Sequence, residues 1–83
     1  MNPVPAPTAP EPALWTVRDC AWFLACGERW IWTSLRRPET EKGSIPHLRL
    51  PTGHPRFDPE EVREWVREGC PPAGTFRKWR KEA

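Results

Sequence analysis

Cysteine is scarce in this chain of 83 residues, and its scarcity excludes two common ways of stapling a small domain. Cys20, Cys26 and Cys70 cannot pair fully, and neither a CxxC nor a Cys/His cluster at zinc-ligand spacing occurs. No metal is expected, and a reduced, cytoplasmic protein is the simple reading. Long apolar runs are missing too. No stretch approaches the roughly 20 apolar residues that a membrane span requires, and no basic-then-apolar leader is readable, so neither a membrane partner nor secretion is expected. The chain also lacks a Ser-His-Asp set, a carboxylate pair and a phosphate loop, while His47 and His54 fall on one candidate hairpin. Hence no catalytic residue and no cofactor are expected, and an enzyme is not the leading class. Nothing after Glu68 is long enough for a coiled-coil dimerisation helix or an effector domain, so any self-association would use the domain itself.

What is present centres on residues 47–66, HLRLPTGHPRFDPEEVREWV, which read as strand, turn, strand and capped helix. Pro51-Thr52-Gly53-His54 suits a four-residue hairpin loop. That loop would set Leu48 opposite Phe57 on a buried face and Arg49 opposite Arg56 on an open one. Paired arginines gain nothing in water, but they suit a hairpin lying along a polyanion. The net charge of +2 is too small to announce a nucleic-acid binder, yet its distribution is uneven. Residues 26–57 hold six basic residues and two histidines against three acids; residues 58–68 hold five acids and two arginines. The basic surface is therefore expected in the middle of the chain, with the third helix facing away from any anion.

Upstream, Thr16 and Asp19 form a capping box for a first helix, with Trp15 and Cys20 at the staple positions and Val17, Cys20, Ala21 and Leu24 as its buried stripe. Ala25-Cys26-Gly27 interrupts the pattern. A second helix follows to about Arg37, buries Ile31 and Leu35, and stops at Pro38. Two short helices joined by a glycine-containing turn are the helix-turn-helix pattern, in which the second helix enters the major groove of DNA. Its exposed face would carry Arg29, Trp32, Thr33, Arg36 and Arg37, with Glu28 beside them. A solvated face of a small helical domain is the competing reading of this segment. Asp58-Pro59-Glu60-Glu61 starts a third, structural helix, with Val62, Trp65 and Val66 inward and Gly69 and Pro71-Pro72 as its stop.

The termini are simpler. Five prolines in residues 1–13 favour a disordered, extended arm over helix or sheet, with partner binding as the lesser reading. Residues 70–83 form a basic aromatic tail, expected to be partly disordered. A helical turn on the domain and an auxiliary DNA arm are the other readings of Arg77, Lys78, Arg80 and Lys81 interleaved with Phe76 and Trp79.

The opening Leu14-Trp15-Thr16-Val17-Arg18-Asp19, then Ile31-Trp32 and Leu35, and above all Ile45-Pro46 with LRLPTGHPRFDPEEVREWV resemble the excisionase-like helix-turn-helix family, related to the DNA-binding domain of MerR-type regulators. The resemblance implies an α+β fold: a small winged helix-turn-helix of three helices with a two-stranded β-hairpin wing, over residues 14–69. It implies double-stranded DNA as partner, with Arg29, Trp32, Thr33 and Arg36 on the second helix and Arg49, Thr52, His54 and Arg56 on the wing; Thr16 and Arg18 at the opening of the first helix and Arg37 at the end of the second are further expected DNA contacts. It implies a recombination directionality factor working with a site-specific recombinase, or a small transcription regulator of a phage or mobile element, with self-association on DNA. A protein-interaction adaptor that uses its exposed tryptophans is the alternative. The chain departs from the family pattern in the turn Ala25-Cys26-Gly27, which lacks the usual serine cap, in the longer link over residues 36–44, and in Trp22 and Trp30 at usually polar positions.

Overall fold

Each of the first two helices has its ends written in local sequence. The computed structural model describes residues 13–82, so the expected proline-rich arm, Ala13 apart, lies outside the described residues. Helix α1 spans Val17–Leu24 and α2 spans Glu28–Arg36. The capping box forms as expected: the Asp19 amide donates to Thr16 Oγ1 at 3.2 Å and the Thr16 amide donates to Asp19 Oδ2 at 3.1 Å. The end of α1 falls on Ala25, held left-handed at φ 55, a conformation that costs an alanine about 1–2 kcal/mol. Gly27, in extended conformation, then caps α2 without a side-chain bond. Val17, Cys20 and Ala21 of α1 join Ile31 and Leu35 of α2 in the core, while Leu24 is only partly buried.

The hairpin has a shorter loop than expected, and this corrects its register. Strands β1 (Leu48–Arg49) and β2 (Pro55–Arg56) pair antiparallel with Leu48 opposite Arg56 and Arg49 opposite Pro55. The Gly53 amide donates to the Leu50 carbonyl at 2.8 Å, and the Leu50 amide donates to the His54 carbonyl at 2.9 Å. The loop is therefore the three residues Pro51, Thr52 and Gly53, with Gly53 at φ 91 supplying the left-handed position such a loop requires. A one-residue slip turns every side chain to the other face. Leu48 is accordingly 39% exposed rather than buried, and Arg49 and Arg56 point to opposite faces instead of sharing one. Phe57 is fully buried all the same, because it bridges to Trp15 through two backbone bonds of 2.7 and 2.9 Å.

Helix α3 spans Pro59–Arg67 and follows Asp58, whose Oδ1 accepts the Glu60 amide at 3.0 Å. Val62 and Trp65 are buried, but Val66, expected inside, is 36% exposed. Trp65 Nε1 donates to the Pro71 carbonyl at 2.6 Å, fixing the chain as it leaves the helix.

A fourth helix, α4, spans Ala73–Glu82 and overturns the expected three-helix winged architecture: the described residues form four helices and one two-stranded hairpin. The tail expected to be partly disordered is helical because its first turn is capped from elsewhere. The Ala73 amide donates to Ser44 Oγ at 2.9 Å and the Gly74 amide to the Glu39 carbonyl at 2.8 Å. Gly74 suits the close approach, since a Cβ would stand 3.2 Å from that carbonyl oxygen, tighter than an ordinary contact. Ser44 Oγ donates onward to the Glu41 carbonyl, and buried Ser34 Oγ donates to the Gly43 carbonyl while accepting the Ile45 amide. The polar link between α2 and the hairpin is thus a bracket that joins α2 to α4. Phe76, 1% exposed, completes a core of Ile31, Ile45, Phe57, Val62 and Trp65.

Two of the α4 basic residues, Arg77 and Arg80, meet an acid in the first turn of α3. Glu61 stands at the third position of α3, but its carboxylate accepts Arg77 Nη2 at 3.1 Å and Arg80 Nη1 at 3.1 Å instead of reaching back to the cap. Arg77 Nη2 also donates to the His47 carbonyl at 2.6 Å, and Arg80 Nε lies 3.4 Å from Glu64. Among the described residues no helix is long and apolar enough to cross a membrane.

Candidate nucleic-acid interface

The start of α1, one face of α2 and strand β2 border an open, shallow cleft of about 240 Å³ lined by Thr16, Val17, Arg18, Glu28, Trp32, His54, Pro55 and Arg56. It gathers five expected contact residues, Thr16, Arg18, Trp32, His54 and Arg56, from three separate parts of the sequence. The fold makes this possible through the Trp15–Phe57 bridge, which ties the chain entering α1 beside the chain leaving β2. Thr16 is occupied by its capping bonds, whereas Arg18 is exposed. Arg56 is half-buried and donates from Nη1 to the neighbouring Pro55 carbonyl at 2.8 Å. His54 Nδ1 lies 2.9 Å from Thr52 Oγ1, so these two hairpin residues orient each other.

The exposed face of α2 runs outward from the cleft. Arg29 lies three residues before Trp32 and Arg36 four after it, so both neighbour the indole on the helix surface, with Thr33 alongside. The Thr33 hydroxyl donates to the Arg29 carbonyl at 3.0 Å, which leaves its oxygen lone pairs for a partner. Arg37 stands apart from this face. Its Nη1 donates to the Lys42 carbonyl at 3.1 Å and its guanidinium lies against Gly43, so it braces the link instead of facing outward with the others. Arg49, on the other face of the hairpin from Arg56, folds over the turn and donates to the Gly53 carbonyl at 2.9 Å.

Sequence reasoning left Glu28 at the margin and missed Val17 and Pro55 as cleft walls. Glu28 precedes Trp32 by one helical turn, which is the signal that places both on one face. A second, larger groove of about 400 Å³ is apolar and lies between Leu24, Cys26, Trp30, Trp65 and Cys70, with Lys42 at its edge. Trp79 borders a separate recess with Glu64, Glu68, Phe76 and Arg80. Burial pushes all three thiols up, Cys20 to about 12. No group of three or more metal-binding side chains occurs among the described residues. Comparisons of the chain with protein-family models, curated proteins and solved structures give no match.

Proposed function

We propose that this chain is a sequence-specific DNA-binding protein without catalytic chemistry, with α2 entering the major groove and the hairpin lying against the adjacent backbone or minor groove. The observation that supports this reading best is the cleft itself. Arg18, Arg56, His54 and Trp32 converge there, while Glu61 and Glu64 of α3 are taken up by Arg77 and Arg80. Cationic groups beside an aromatic suit phosphates and bases, with Glu28 as the one acid in the cleft lining. The resemblance to excisionase-like proteins points the same way and adds the biological setting: a directionality factor that deforms DNA for a site-specific recombinase, or a phage or mobile-element regulator, acting in the cytoplasm and self-associating on its site.

The test is a fluorescence-anisotropy titration on DNA flanking the gene at several salt concentrations. Affinity should fall steeply with salt, and Arg18→Ala and Arg56→Ala should each lower the salt slope by about one, as loss of one phosphate contact does. A salt-independent affinity, or unchanged slopes in both variants, would remove DNA from the account. The adaptor reading rests on a different observation, the 41–48% exposure of Trp22, Trp30, Trp32 and Trp79. It would be favoured if DNA failed to bind while substitutions of these tryptophans disrupted a protein complex.

A further inference from the structure

The α1–α2–hairpin cleft carries a carboxylate, which a site for phosphate alone would exclude. Glu28 lines it beside Arg18 and Arg56, one helical turn from the Trp32 indole, and a phosphodiester brought against Glu28 is repelled. A nucleobase supplies what each wall lacks. Its ring face stacks on an aromatic, its exocyclic amine donates to a carboxylate, and its flanking phosphates meet guanidinium groups. A base inside a duplex shows only its edge at the groove floor, so its ring face can meet the Trp32 indole only after it leaves the stack.

We propose that this cleft takes one unstacked nucleotide of the bound DNA, with Trp32 as the stacking platform, Glu28 accepting from the base's amino group, and Arg18 and Arg56 on the adjoining phosphates. The inference rests on the DNA-binding reading and specifies what its cleft holds. It selects for bases that bear an exocyclic amine, which cytosine, adenine and guanine do, over thymine, which has none.

The test titrates a short labelled duplex, the same duplex with one unpaired cytosine, and the same with one unpaired thymine. Wild type should bind the cytosine bulge roughly tenfold or more tightly than the intact duplex, the scale of one base stacked on an aromatic. Trp32→Ala should erase that preference by weakening the cytosine bulge roughly tenfold more than the intact duplex, and Trp22→Ala, outside the cleft, should leave the preference unchanged. Glu28→Gln, whose amide can also donate, should let the thymine bulge bind like the cytosine one. Equal affinity of wild type for bulged and intact duplexes overturns this inference alone, as does a Trp32→Ala loss of equal size on both. Absence of binding to any of the three overturns the reading beneath it.

Discussion

Replacing Glu61 by alanine should loosen the whole fourth helix, and the size of the effect follows from what that one carboxylate holds. Glu61 is 9% exposed and accepts from Arg77 Nε at 3.3 Å, Arg77 Nη2 at 3.1 Å and Arg80 Nη1 at 3.1 Å. Breaking a buried ion pair costs about 3–5 kcal/mol when the remaining charge is trapped without a partner. Here the two arginine side chains are 41% and 36% exposed, so both can return to water once the carboxylate is gone. That relief brings the expected loss to about 2–3 kcal/mol, between a surface pair and a buried one. In a domain this small it lowers the melting temperature by about 10–20 °C. Arg77→Ala should cost less, since Glu61 keeps Arg80. Thermal melts followed by near-ultraviolet circular dichroism make the comparison. A Glu61→Ala melt within about 2 °C of wild type would mean the cluster behaves as an ordinary surface salt bridge. A larger loss for Arg77→Ala than for Glu61→Ala would show that the His47 carbonyl, not Glu61, anchors the helix.

Ala25→Gly should raise the melting temperature by a few degrees, because it relieves the left-handed strain at φ 55 by more than glycine adds in unfolded-chain entropy, for a net gain of about 0.5–1 kcal/mol in urea titrations. Cys20, whose thiol is pushed up to about 12 by burial first and by Cys26 and Asp19 next, should resist alkylation in the folded protein at pH 8, while Cys26 and Cys70, only partly buried, react. A thiol with a raised folded value holds its proton longer in the native state, so its contribution to stability is complete below the ordinary value of 9.0 and is lost as pH climbs from there towards 12; a Cys20→Ala variant should show a shallower decline over that window.

The parts of this fold that local chemistry decides were legible. The Thr16–Asp19 box, the Gly27 start of α2 and the Asp58-Pro59 start of α3 each involve residues close in sequence, and each stands where its residues predict. The hairpin was legible as an element but not in register, because Pro51-Thr52-Gly53-His54 accommodates either a three- or a four-residue loop and only the left-handed Gly53 decides. Helix α4 was hidden for a different reason. Its inward stripe is just Ala73 and Phe76, and what caps and clamps it, Ser44, Glu39 and Glu61, lies far away in sequence. The same reasoning accounts for the cleft: the residues were visible one by one, while their convergence depends on the Trp15–Phe57 bridge. Arg37 illustrates the limit of reading charge from composition, since its guanidinium serves the Lys42 carbonyl.

That bridge also sets the order in which the molecule can come into being. Helices of eight and nine residues are too short to persist in water by themselves, where roughly 12–15 residues are already marginal. Their persistence therefore comes from packing, to which the pairing of Trp15 with Phe57 contributes from 42 residues away. Glu39 and Ser44 in turn wait for α4, the Ser44 bond alone spanning 29 residues. Contacts of such separation slow folding and lengthen the interval in which Ile31, Phe57 and the surface tryptophans are open to other chains. The segment that closes the core is thus the last of the described helices to be made.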